Sequence, residues 1–231
     1  MKKLLVTSLG MLVGVSVFAQ GTVNWASISP AAFTMQTNST TYSSLYGGGS
    51  TGGGAVGATA LAANGFYGEL LYTAYSGSQV AQPTSLAALS AWSDAGLGGV
   101  NGTATTVKMT PLGASTQAVV PWSNGTTQSV MFVAWSSNLG TTWSSALSTL
   151  NSQSLLGNVV GNAFFGMSTT GYINPASGNP GNAVFGVSPT TFGLPISSLN
   201  TQLYLVPVPE PGTMALAALG GASLLLFRRR K

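Results

Sequence analysis

Apolar and polar positions follow three different rhythms along this chain. From Leu4 to Phe18 the residues are mainly apolar. From about residue 20 to residue 206 apolar residues come in short runs, many of them alternating with polar ones, and Gly, Asn and Pro stand between the runs. From Thr213 to Phe227 the chain is mainly apolar again. The middle rhythm has the period of two expected of strands, and the outer two lack it.

Within the middle region, GTVNW (21–25) reads as a first strand. In GFYGELLYTAY (65–75), Phe66, Gly68, Leu70, Tyr72 and Ala74 alternate with Tyr67, Glu69, Leu71, Thr73 and Tyr75. Both sets are largely apolar or aromatic, which predicts a strand covered on both faces. Further strands are predicted at TATTVKMT (103–110), QAVVPW (117–122), QSVMFVAW (128–135), VVGNAFFGM (159–167), AVFGV (183–187) and TQLYLV (201–206). Ser123-Asn124-Gly125 is a turn signal joining 117–122 to 128–135, although the connection is longer than the two-residue hairpin ideal. Pro121 belongs at a strand end or edge. Asn174-Pro175, Asn179-Pro180 and Pro189 mark later turns.

Two stretches break the strand rhythm. TSLAALSAW (84–92) reads as a short helix capped by Thr84 or Ser85. In TTWSSALSTLNS (141–152), Trp143, Ala146, Leu147 and Leu150 fall at i, i+3, i+4 and i+7, so an amphipathic helix capped by Thr141 or Thr142 is expected. SSLYGGGSTGGGAVGA (43–58) reads as a Gly/Ser/Thr loop. No Gly-Lys-Ser/Thr follows it, so it is not a phosphate loop. Many short strands with regular turns give an all-β expectation: a sandwich or jelly-roll-like body with one or two short helices, followed by a C-terminal transmembrane helix.

Charge sharpens this picture. Only 4% of the 231 residues are charged, and the net charge of +4 comes from the ends. Between residues 20 and 207 the charged side chains are Glu69, Asp94 and Lys108. One lysine builds no basic face, so nucleic acid is not expected as a partner. The chain has no Cys and no His, which excludes thiol chemistry and the usual zinc sites. With 45% hydrophobic residues, a folded body is expected.

The two ends read as targeting segments. Lys2 and Lys3 precede the Leu4–Phe18 run, and Val17 and Ala19 fit a small-residue cleavage pattern before Gln20. Residues 1–19 are therefore expected to be a secretory signal peptide. At the other end, the 15 residues Thr213–Phe227 would span about 22 Å as a helix. That is short against a hydrocarbon core of about 30 Å, unless the flanking arginines snorkel. Arg228, Arg229, Arg230 and Lys231 form a basic stop that should stay cytoplasmic, which leaves the body outside. Pro209-Glu210-Pro211 is a stiff, extended tripeptide just before the apolar run.

Together these tail elements, residues 207–231, resemble the PEP-CTERM sorting signal of Gram-negative bacteria. The resemblance carries over to Pro209, Glu210, Pro211, the helix Met214–Phe227 and Arg228–Arg230. It implies a processing partner of the exosortase type, an integral-membrane cysteine protease or transpeptidase that removes the anchor. It also implies a transient membrane contact and a link to exopolysaccharide and biofilm-associated secretion. The stretch 130–146 is loosely similar to the bodies of secreted proteins of this kind, and that likeness names no activity. The domain reading is a signal peptide at 1–19, a β-rich extracytoplasmic body at 20–206 and a sorting signal at 207–231.

Within the body, catalytic chemistry has little to work with. Glu69 and Asp94 would be the carboxylates of a glycosidase-type pair, or else Glu69 lies on a strand surface and Asp94 shapes a turn at Asp94-Ala95-Gly96. Lys108 has no marked nucleophile motif beside it. No catalytic residue, metal site or cofactor is expected. Trp25, Trp92, Trp122, Trp135 and Trp143 would stack on sugars if exposed and fill the core if not. Asn38, Asn101 and Asn124 stand in N-x-S/T patterns that a Ser/Thr-rich chain produces by chance. The expected function is that of an exported surface or matrix protein, structural or adhesive in exopolysaccharide. The alternatives are a carbohydrate-binding module using exposed Trp and, behind it, a glycan hydrolase.

Overall fold

The computed structural model describes residues 20–25, 33–46, 56–58, 65–101, 109–114, 116–178, 180–186 and 188–208. Residues 1–19, most of the 103–110 strand with Lys108, the Thr213–Phe227 run, the Pro209–Pro211 tripeptide and Arg228–Lys231 lie outside them. Among the described residues, no helix is long and apolar enough to cross a membrane.

Among the described residues, twelve strands and three short α-helices follow one another as β1 (Gln20–Asn24), β2 (Phe33–Tyr42), β3 (Val56–Ala58), β4 (Phe66–Ala74), α1 (Leu86–Ser90), β5 (Ser93–Asn101), β6 (Met109–Pro111), β7 (Ala118–Ser123), β8 (Gln128–Ser136), α2 (Trp143–Asn151), α3 (Gln153–Leu156), β9 (Ala163–Ile173), β10 (Asn182–Ala183), β11 (Gly193–Leu194) and β12 (Ser198–Val206). Nine strands form one sheet in the order β3-β2-β12-β9-β8-β4-β5-β6, with β11 pairing on β9. The other three form a second sheet, β10-β1-β7. The body is thus mostly β.

The central strands owe their places to their sequence. Apart from Gln128, every residue of β8 is buried, because β8 is hydrogen-bonded on both edges, to β4 and β9, and covered on both faces. Its register with β4 runs unbroken from Phe66↔Ser136 to Ala74↔Gln128. Alternation then divides two cores. On one face Phe66, Leu70, Val130, Phe132 and Ala134 meet Val23, Trp25, Ala118, Val120 and Trp122 of the small sheet and its flank. On the other face Leu71, Met131, Val133, Trp135 and Phe165 meet Leu89 and Trp92 around α1, and Trp143, Ala146 and Leu150 of α2.

Both helices form where their caps predict. The Ser85 side chain accepts from the Ala88 backbone N–H at the start of α1. Thr142 caps α2 in a capping box whose return partner is Ser145.

Three expectations change. The 117–122 and 128–135 runs are not a hairpin. The turn is present, with Thr126 N–H donating to Ser123 C=O at 3.1 Å, but β7 enters the small sheet and β8 the large one. A connection longer than two residues leaves the chain free to change sheets. The proportions are also not those of a jelly roll. The small sheet covers only one face of the large one, and the helices cover the other. Finally, β2, β3 and β5 are strands that the apolar pattern did not mark, and β9 starts later and runs further than 159–167.

Candidate functional site

The two body carboxylates are brought together by β4 and β5. Between the pairs Glu69↔Gly98 and Leu71↔Asp94, β4 advances two residues while β5 advances four. The surplus is a bulge, and it supplies the turn expected at Asp94-Ala95-Gly96. Gly96 has φ 71°, a left-handed conformation suited to glycine, and its N–H donates to Asp94 Oδ1 at 2.7 Å. By alternation, Tyr67, Glu69 and Leu71 share the helix-covered face. A Cβ at position 98 would stand 3.1 Å from Glu69 Oε2, so Gly98 leaves the space in which this carboxyl lies.

Burial, then the negative charge of Asp94 and a hydrogen bond between the two side chains, push the Glu69 carboxyl up to about 8. At neutral pH Glu69 therefore keeps its proton beside Asp94. The bulge in β5 brings the two carboxyls close enough for the charge of Asp94 to act on Glu69. Each reading of these residues is thus half met, because Asp94 does shape its turn, while Glu69 is half-buried and paired to it.

All five tryptophans are buried, from Trp25 at 0% to Trp92 at 9% exposure. Trp25 and Phe132 meet at 5.9 Å between ring centroids, and Trp135 and Trp143 at 5.7 Å. Trp25 Nε1 also donates across the core to Gly98 C=O at 2.8 Å. The aromatic pair that sequence reasoning missed is Tyr75 and Tyr172, whose rings lie 4.7 Å apart. Two residues before Tyr172, Thr170 lines a shallow groove of about 390 Å³ with Thr169, Gln79, Val80, Ala81 and Gln82. The signal was present in the 65–75 alternation, which ends on Tyr75, but nothing local pairs it with residue 172.

Two of the three N-x-S/T asparagines are internal. Asn38 is buried, and its Oδ1 accepts from the backbone N–H of Thr40 and Thr41. Asn101 is buried, with Oδ1 accepting from Phe66 N–H at 2.7 Å.

The strand that leads to the tail is firmly placed. β12 runs parallel to β2 and antiparallel to β9, with Val206 opposite Ala163. Pro207 and Val208 follow half-buried, and Val208 packs against the helix-side core. The tail elements begin at that point, and the family model for the PEP-CTERM protein-sorting motif matches residues 207–231. The chain carries a PEP-CTERM sorting signal. That signal implies an exported protein, sorted through a membrane-anchored C-terminal segment and recognised by an exosortase-type processing enzyme. No curated protein and no solved structure matches the chain.

Proposed function

We propose that this PEP-CTERM protein is a cell-surface or extracellular-matrix component whose body is structural or adhesive within exopolysaccharide and does no catalysis. The observation that carries the reading is the sorting motif, joined to the last strand of the folded body. The surface of that body supports it. Among the described residues, Glu69 and Asp94 are the only Asp, Glu, Lys or Arg side chains, and at neutral pH Glu69 holds its proton. The polar surface is otherwise one of hydroxyls and amides, which exchange hydrogen bonds with sugars without ionic competition. In this reading residues 1–19 start export, Thr213–Phe227 halts in the membrane and Arg228–Lys231 hold the end inside. Pro209-Glu210-Pro211 then presents the processing site.

The test replaces Glu210 and Pro211 with Ala in the native host, followed by fractionation. Export should continue, and the protein should stay on the inner membrane untrimmed. A normally trimmed protein at the outer surface would make the tail a plain anchor instead.

A second reading is glycan binding through tyrosine rather than tryptophan. The Tyr75–Tyr172 pair, with a groove that carries Gln79, Gln82, Thr169 and Thr170 two residues away along β9, favours it, whereas the burial of all five tryptophans removes the version that relied on them. Affinity electrophoresis in gels containing the host's exopolysaccharide separates the two readings. Retardation that is lost in Tyr172→Ala indicates a binding module, and unretarded migration of the parent protein leaves the structural role.

A further inference from the structure

The structure and the sorting motif together define which end of the body faces the membrane. Val206 ends β12, and the apolar run starts at Thr213. The six residues between them reach at most about 22 Å when fully extended. Part of that reach is spent, since Val208 is packed on the body. Part of the remainder crosses a headgroup layer of roughly 5–8 Å. A body of this size has a radius of gyration of about 16 Å. The tether is therefore shorter than the body is wide, and the body cannot turn a different end toward the bilayer.

The end from which the tether leaves has its own surface. Tyr42 stands opposite Leu205 at the close of β2 and is 51% exposed. Leu155 on α3 is 42% exposed, although its neighbour Leu156 is in the core. Val160 is 88% exposed, three residues before Ala163, the partner of Val206. Its loop is fixed from beneath, because Asn138 Nδ2 donates to the carbonyls of both Val160 and Asn162 at 3.1 Å. The loop is thus held in the shape that turns an aliphatic side chain outward. Scattered exposed apolar residues are ordinary on a protein surface. Tyr42 and Val160 are tied by strand register to Leu205 and Val206, the last pairs before the tether, and Leu155 adjoins Leu156, which shares the helix-side core with Val206 and Val208. A tyrosine is suited to the headgroup level, where its ring and hydroxyl meet different media. The paired carboxyls lie elsewhere, on β4 and β5, so no described carboxylate faces an anionic lipid surface here.

We propose that this end of the body, built on Tyr42, Leu155 and Val160, is a lipid-contacting surface that rests on the outer leaflet while the tail is anchored. The proposal depends on the sorting reading, because the tail is what brings the surface to the bilayer.

The chain has no cysteine, so one introduced thiol is a unique label site. The full chain would be reconstituted into vesicles of phosphatidylethanolamine and phosphatidylglycerol, as V160C or as F192C, each carrying an environment-sensitive fluorophore. Phe192 is a matched control. It is 52% exposed and its carbonyl accepts from Asn174 N–H, beyond the far end of β9. Both positions are exposed enough for the label to leave the fold intact. Blue-shifted emission at 160, quenched several-fold more by a chain-attached lipid quencher than at 192, is the expected result. Equal emission and equal quenching at the two positions, on protein that floats with the vesicles, would overturn the lipid contact and leave the anchor standing. Failure of both proteins to float would overturn the anchor, and the contact with it.

Discussion

The two faces of the large sheet are closed in different ways. The face under β10-β1-β7 is sealed by interlocked rings: Trp25 lies 5.4 Å from Phe185 and 5.9 Å from Phe132. The face under the helices is also aromatic, yet polar side chains are built into its cover. Tyr46 donates its hydroxyl to Leu150 C=O at 3.0 Å, Asn151 Nδ2 reaches Leu147 C=O at 2.9 Å, and Gln82 Nε2 reaches Ser168 C=O at 2.6 Å. Sheets satisfy their own backbone groups in ladders, so a sheet covering a sheet needs few side-chain donors, and Trp25 Nε1 to Gly98 C=O is one of them here. A helix leaves its last carbonyls unpaired, and an irregular strap leaves most of its own. Leu150 belongs to the last turn of α2, and the Tyr46 hydroxyl supplies the donor its carbonyl lacks. Burial pushes the Tyr46 hydroxyl up to about 12, which keeps it a donor across the working pH range.

The strongest way to test that difference is Trp143→Ala. It empties a large buried site under α2 and should cost about 3–5 kcal/mol in urea unfolding. If the helical cover is a distinct layer, hydrogen exchange should rise over 143–156 more than over β1 and β7. An equal rise on both sides would show that the two faces form one cooperative unit. Gly68→Ala attacks the opposite face. Its Cβ would lie 2.2 Å from Phe132 Cζ, inside a fully buried ring, and overpacking of that kind costs about 1–3 kcal/mol.

Glu69→Gln sharpens the polar side. The folded value of about 8 lies above the ordinary 4.5. Between those two pH values the folded state holds a proton that the unfolded chain has lost. The contribution of Glu69 to stability is therefore full below about 4.5, falls as pH rises and is gone above about 8. Glutamine keeps a donor for Asp94 without a titrating proton. Its stability should lack this slope and exceed the parent's at pH 8, by on the order of 1–3 kcal/mol after allowance for solvent screening. Matched slopes in the two proteins would show that the pair does not share a proton. The smallest contrast lies within one core. Trp25→Phe loses the hydrogen bond to Gly98 and strands its carbonyl from one donor, for about 1 kcal/mol. Trp122 Nε1 has no partner among the described residues, so Trp122→Phe should cost less in the same melt.

The sequence made some of this architecture readable. β4 and β8 were legible because a strand covered on both faces shows its apolar character in every residue. α1 and α2 were legible from a capping hydroxyl followed by apolar residues at helical spacing. β5, SDAGLGGVN, was not, because glycine replaces the apolar side chains that mark a strand. Its glycines are needed there for the bulge at Gly96 and for the Glu69 carboxyl over Gly98. β2, FTMQTNSTTY, was masked by hydroxyl residues, although Met35 and Asn38 are fully buried. The exchange of sheets between β7 and β8 is a tertiary choice that neighbouring residues do not encode. The sorting motif at 207–231 was legible, since it lies in the linear order of its parts. The pairing of Glu69 with Asp94 was not, because it depends on the register between two strands.

The place of β12 has a consequence in time. It is the last strand of the body in sequence, and it lies in the interior of the sheet, joining β2 to β9. Under the proposed export from the N-terminus, both neighbours arrive before residues 198–206 do. Until then β2 and β9 each present an open edge, the kind of surface on which chains aggregate. The strand that closes the gap emerges immediately ahead of the sorting motif at 207. Closure of the sheet and arrival of the sorting signal at the membrane thus become nearly simultaneous. A copy stalled before that moment offers two unpaired edges to its neighbours, while a copy that passes it is folded just as it becomes ready for release.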